Sequence, residues 1–115
     1  MYMLSKELTA ASSVSIILCT LIGGESYGYE IIKKVKDASQ GRILYSDGTL
    51  YPVLRKLEDK ELILSEWRIA ENQKRRRYYT ITAKGIMQLK QEKLSWEFMN
   101  GLLNILWAPL PLTSV

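Results

Sequence analysis

Residues 46–82 read SDGTLYPVLRKLEDKELILSEWRIAENQKRRRYYTIT, and the spacing of the apolar residues changes period inside this stretch. Leu50, Val53, Leu54 and Leu57 recur at helical spacing behind Ser46, whose hydroxyl suits an N-cap bonding the Gly48 or Thr49 N–H. Pro52 falls in the second turn of that helix, where it removes one backbone bond and should bend the axis. Leu62, Ile63, Leu64 and Trp67 then form a short strand-like run. A mostly polar stretch follows from Arg68 to Arg76, and Arg77-Tyr78-Tyr79-Thr80-Ile81-Thr82 alternates with aromatic and β-branched residues. The stretch predicts a helix followed by a β-hairpin with a basic tip.

Upstream, Leu4 to Ile22 has no Gly or Pro and ends at Gly23-Gly24, which predicts a helix with a glycine stop. Val14, Ile16, Ile17, Leu18, Leu21 and Ile22 point around most of its circumference, so it needs cover on more than one side, and a second chain could supply part of it. Ser26 is the expected N-cap of a second helix through Tyr27, Tyr29, Ile31, Ile32, Val35 and Ala38 to a stop near Gly41, with Lys33, Lys34 and Lys36 on wetter faces. Downstream, Thr82 caps a last helix through Ile86, Leu89, Leu94, Trp96, Met99, Leu103 and Leu106 to Pro109, longer than the domain needs to close its own core. Three helices, a hairpin and a long helix predict a mainly α fold with a small β-hairpin. This is the winged helix-turn-helix order, in which the third helix enters the major groove and the hairpin lies along the backbone. The division expected is a DNA-binding domain at residues 1–82 and a C-terminal helix with an apolar tail at 83–115.

The chain has 115 residues, 47% hydrophobic and 24% charged, the composition of one globular domain. With no His and one Cys, it cannot build a Ser-His-Asp or Cys-His relay, a His-bearing metal site or an internal disulfide. Neither paired carboxylates nor a phosphate-cradling loop occur, so no enzyme activity, metal or cofactor is expected. Val14 to Ile22 is too short for a bilayer span and lacks a cleavage pattern, which points to a cytoplasmic protein without a membrane partner. Cys19, inside that run, is expected to pack as a small hydrophobe. Of the net charge of +4, residues 62–82 carry +3, the concentrated footprint of a phosphate-backbone binder.

On a helical wheel centred on Leu50, the residues Gly48, Pro52 and Arg55 lie opposite the core face, flanked by Thr49, Tyr51 and Lys56. Gly48 and Pro52 remove bulk, Thr49 and Tyr51 can donate to phosphate or base edges, and Arg55 can meet a phosphate or a guanine. The same pattern also fits an ordinary solvated helix face. In the hairpin, Arg75 and Arg77 share a face and could pair with Glu66 or Glu71, which leaves Lys74 and Arg76 as the stronger phosphate candidates, with Arg75 behind them. Tyr27, Lys33 and Ser46 complete the candidate DNA-binding set.

Gly48-Thr49-Leu50-Tyr51-Pro52, continued by Leu54, Leu57-Glu58 and Leu62-Ile63, resembles the signature of the PadR family of bacterial transcriptional regulators. Tyr27-Gly28-Tyr29-Glu30-Ile31-Ile32, Arg76-Arg77-Tyr78-Tyr79 and Tyr79-Thr80-Ile81-Thr82 with Gly85 extend the likeness over roughly residues 6–106. The resemblance implies a homodimeric repressor on a palindromic duplex operator, released in many members by a small molecule. The single C-terminal helix is similar to the short-tailed subgroup that includes multidrug-sensing repressors, which implies a dimerisation helix and a central pocket where tryptophans of the two subunits face each other. Trp96 occupies that position. One turn from Met99 and two from Leu103, it offers a flat surface for a planar hydrophobic effector, with Leu8, Ala11 and Ser15 as the opposite wall. The same stripe also suits plain dimer core.

One departure from the family pattern stands out: Phe98 to Val115 is eighteen residues without a charge, where short-tailed relatives end in a more polar helix. The prolines at 109 and 111 forbid a continuous span, so this tail either packs on a partner or exposes an apolar patch. A protein-interaction module, using the apolar first helix and this tail and no DNA, is the alternative reading.

Overall fold

The computed structural model describes residues 3–110. Helix α1 (Lys6–Ile22) starts at Ser5, whose Oγ accepts the Leu8 N–H at 3.1 Å, and stops at Gly23. Strand β1 (Ser26–Tyr27) leads into helix α2 (Gly28–Ala38), and helix α3 (Asp47–Asp59) follows a loop. Strands β2 (Ile63–Ile69) and β3 (Arg75–Ile81) form the hairpin, and helix α4 (Ala83–Leu106) is the last element. This is the winged helix-turn-helix order, mainly α with one small antiparallel sheet.

The first three helices close on each other through Ile17, Leu18, Leu21, Ile31, Leu50, Leu54 and Leu57, with Ile63 and Tyr79 sealing the sheet side. Burial of each of the fully covered aliphatic side chains stabilises by roughly 1.5–3 kcal/mol, which fixes the angle at which α3 is presented. The Tyr45 hydroxyl donates to Ser13 Oγ at 3.2 Å, and Ser13 Oγ donates to the Thr9 carbonyl at 2.8 Å. That relay ties the loop ahead of α3 to α1. Helix α3 closes with Leu62 N–H on the Leu57 carbonyl and Glu61 N–H on the Glu58 carbonyl, with Glu61 at φ 62° where glycine is usual.

Three sequence expectations change, for Ser26, the hairpin and Cys19. Ser26 is not the cap of α2: its backbone pairs opposite Tyr79, so it forms a third strand in the order β1-β3-β2, and Tyr27 holds the N-cap position without a side-chain bond. The Ser26 hydroxyl instead donates to Glu30 Oε1 at 2.6 Å. The hairpin strands reach further toward the tip than the apolar pattern indicated, with Arg68 opposite Arg76 and Ile69 opposite Arg75, because backbone pairing continues where the side chains are wet. Helix α3 contains Pro52 within its length, and the N–H that proline lacks would have met the Gly48 carbonyl, at an exposed position. Cys19 is exposed, since it lies across α1 from the core face of Ile17, Leu18 and Leu21.

Helix α4 opens as expected, with Thr82 Oγ1 accepting the Gly85 N–H at 3.0 Å. A Cβ on Gly85 would collide with the Leu62 carbonyl and come within 2.7 Å of Ile81 Cγ1, so only glycine lets α4 leave the sheet this closely. Beyond this anchor α4 projects outward, and the molecule measures 56 × 31 × 22 Å. Leu102, Ile105, Leu106, Trp107 and Leu110 of the uncharged tail are exposed, while Pro111 and Leu112 lie outside the described residues.

Candidate nucleic-acid interface

Ser46 caps α3 by accepting the Thr49 N–H at 3.2 Å and donating to Thr49 Oγ1 at 3.1 Å. This fixes the first turn and with it the rotation of the helix. Leu50, Leu54 and Leu57 are turned inward, and Gly48, Thr49, Tyr51, Pro52, Arg55 and Lys56 are all exposed, so the outward face is the one the wheel assigned. Tyr51 crosses to the start of α2, where a Cβ on Gly28 would come within 2.9 Å of its ring. The absent side chain of Gly28 is what seats Tyr51 there.

The wing is built by strand alternation. Arg75 and Arg77 share the face of Trp67, their guanidinium carbons 4.7 and 5.7 Å from its ring centroid. Arg76 goes to the other face and stacks over Tyr27 at 4.4 Å, while Arg68 stacks over Tyr78 at 4.7 Å. For Arg75 and Arg76 these contacts hold the cation in place without neutralising it. Arg77 is different. It donates to Ser65 Oγ at 2.8 Å and to Glu58 Oε1 at 3.0 Å, and Ser65 Oγ donates to Glu58 Oε2 at 2.6 Å, which ties the wing to the end of α3. The expected partners Glu66 and Glu71 are not used. Glu66 instead pairs with its same-strand neighbour Arg68 at 2.8 Å, and Arg68 also forks onto Glu25.

Helix and wing face one another across a groove of about 650 Å³ whose lining includes Tyr27, Tyr51, Arg55, Trp67, Lys74, Arg75, Arg76 and Arg77. The structure thus gathers candidates separated by some fifty positions in sequence. Lys33 stays apart, exposed on α2 and paired with Asp37 at 3.0 Å; that bond and the carboxylate's charge hold its ammonium above its ordinary range. Ser46 and Thr49 line a different hollow beside Leu4 and Tyr45. Trp67 and Gly28 were not singled out as site residues. Register would have flagged Trp67, which lies directly opposite Arg77; Gly28 carries no comparable local signal.

The effector candidates fall on α4 and the outer side of α1. Trp96 Nε1 donates to Ser15 Oγ at 3.1 Å, and Ser15 Oγ donates to Glu92 Oε1 at 2.8 Å. Trp96 and Ser15 therefore touch within one chain rather than facing each other across a space. Leu8, Ala11 and Met99 are exposed and Leu103 is half-buried. An apolar cavity of about 520 Å³ lies alongside, between α1 and α2, lined by Ser15, Ile16, Cys19, Val35, Ala38 and Ile43 among others. No described helix is long and apolar enough to cross a membrane.

Comparison with known proteins agrees with this architecture. The model of the transcriptional regulator PadR-like family matches residues 17–91. A solved transcriptional regulator from Clostridium thermocellum is 35% identical, with a TM-score of 0.79 over 86% of this chain and 96% of that one. The PadR-like transcriptional regulator of Bacillus cereus is 29% identical, with a TM-score of 0.75 over 88% of this chain and 96% of that one. Transcriptional regulator YqjI of Escherichia coli is 31% identical over 68% of this chain, which spans only 36% of that protein's length.

Proposed function

The chain belongs to the PadR-like family of transcriptional regulators, which are not enzymes, and from that premise we propose that it acts as a homodimeric repressor on palindromic duplex DNA. The observation that carries this reading is the groove in which Tyr51 and Arg55 of α3 face Lys74 and Arg75 of the wing. A helix face of small, hydroxyl-bearing and cationic groups reads base edges, and cations beside it hold phosphates in register. Arg77 is left out of the contact set because Glu58 and Ser65 already engage it.

Residues 1–82 serve as the DNA-binding unit and residues 83–115 as the dimer arm. Self-association is supported by the side of α1 that its own chain leaves open, around Cys19 and Ile22, and by the apolar cavity between α1 and α2, which suits the uncharged end of a second α4. A planar hydrophobic compound stacking on Trp96 near the dimer axis would act as the releasing effector.

Selection of bound duplexes from a random pool tests the reading. A palindrome with half-sites about one helical turn apart, or a multiple of that, is the expected result. Recovery of unrelated or asymmetric sequences would overturn the two-fold DNA-binding assignment.

A further inference from the structure

Helix α4 carries two apolar seams, and the fold uses one. Gly85, Leu89, Glu92, Trp96, Met99 and Leu103 alternate four and three apart; this seam meets the sheet at Gly85, the core at Leu89 and α1 at Glu92 and Trp96. Across the helix, Met87, Gln91, Leu94, Phe98, Gly101 and Ile105 repeat the same alternation. Met87, Leu94, Phe98 and Ile105 are 69, 63, 72 and 74% exposed, so no described part of the chain covers them. A four-three repeat over this length is the pattern by which one helix packs along another, and the second seam runs for about 27 Å.

We propose that this outward seam pairs with the same seam of a second copy, joining two DNA-binding dimers into a tetramer; the proposal rests on the homodimer reading above. Three features select another α4 as the occupant. First, all of the helix's charges lie from Lys84 to Glu97, and none from Phe98 onward. The seam's outer half therefore offers a charged partner nothing to pair with, and offers a lipid headgroup no cation. Second, antiparallel self-pairing lays the lysine-bearing half of each copy along the uncharged half of the other, so Lys84 and Lys90 avoid their counterparts. Third, a pair centred between Leu94 and Phe98 sets Leu94 against Phe98 of the second copy, Met87 against Ile105, and Gln91 against Gly101. Gly101 has nothing within 4 Å of where a Cβ would stand, so within one chain this mid-helix glycine weakens α4 for no local gain. In the pair it makes room for Gln91. The resulting assembly presents two pairs of α3–wing heads and can hold two duplex segments at once.

Light scattering on the full chain at tens of micromolar, with wild type beside the Leu94→Lys/Phe98→Lys double variant and beside Gly101→Lys, tests this. All three positions are exposed, and circular dichroism confirms that each variant stays folded. The expected result is a mass of four chains for wild type and two for both variants. Affinity for a single duplex should be unchanged per dimer, and only wild type should draw a labelled duplex onto beads carrying another. Two chains in every sample would overturn the seam and leave the homodimer standing. Two chains in wild type and one in the variants would make the outward seam the primary interface, overturning both the inner dimer and the tetramer. Flotation of wild type as a dimer with phosphatidylglycerol vesicles, lost in the variants, would overturn self-pairing in favour of a lipid surface.

Discussion

The DNA-facing groove and the outward face of α4 are both exposed surfaces, and they are finished to different degrees. In the groove, nearly every large side chain is positioned by a neighbour: Arg75 by Trp67, Arg76 by Tyr27, Tyr51 by the gap at Gly28, and the wing itself by Arg77 on Glu58 and Ser65. On α4, Leu94, Phe98 and Ile105 stand in the open. One chain completes the first surface and leaves the second unpartnered. A surface whose cations are held in place yet not neutralised is ready for a polyanion, whereas an uncharged ladder is ready for another apolar surface.

The two glycines of α4 break this comparison most sharply. Gly85→Ala drives a methyl group into the Leu62 carbonyl and Ile81, a backbone clash that cannot relax, and should cost about 2–3 kcal/mol in thermal unfolding. Gly101→Ala meets open space within the chain and, at dilutions where the outward seam is unpaired, should instead gain about 0.5–1 kcal/mol. Equal effects would mean that α4 is not anchored at its first turn.

Next in size are the two kinds of groove residue. Tyr51→Ala should weaken the selected operator by about 1–3 kcal/mol and random duplex little, whereas Arg76→Ala should weaken both alike and reduce the salt slope by about one. Anisotropy titrations on the two duplexes separate these outcomes.

What the sequence made legible follows from how local each signal is. The rotation of α3 could be read because Leu50, Leu54 and Leu57 repeat within one helix, and the caps at Ser46 and Thr82 because a hydroxyl bonds an N–H three residues on. β1 was missed because two residues have no period; its evidence is a pairing with Tyr78 and Tyr79 some fifty positions away. Arg77 was assigned the wrong carboxylate for a similar reason, as Glu58 reaches it only once α3 lies against the sheet. Cys19 misled because a continuous apolar run does not say which side of a helix the core will take. The pairing of α3 with the wing across one groove was legible only through the order of elements, and the role of Gly28 beneath Tyr51 not at all.

Smaller effects test how firmly the head holds α3. Tyr45→Phe removes the hydroxyl that donates to Ser13 and should cost about 1 kcal/mol. Burial raises the Tyr45 phenol above its ordinary 10.0, and burial does the same for Tyr79 despite nearby Arg77. The unfolded chain therefore releases these protons first. Stability is fully present below pH 10 and falls as pH rises through the folded values, and Tyr45→Phe should flatten that fall in urea unfolding between pH 8 and 11. Smallest is Glu61→Gly, which relieves the left-handed residue closing α3 and should gain up to about 1 kcal/mol in the same assay without altering DNA affinity.

The central claim is that the groove between α3 and the wing grips a phosphate backbone, and salt titration of duplex binding tests it most directly. Log affinity should fall steeply and linearly with log salt, by about 0.9 per phosphate neutralised, with several phosphates engaged per dimer. A flat response, or no binding to any duplex in dilute buffer, would contradict it.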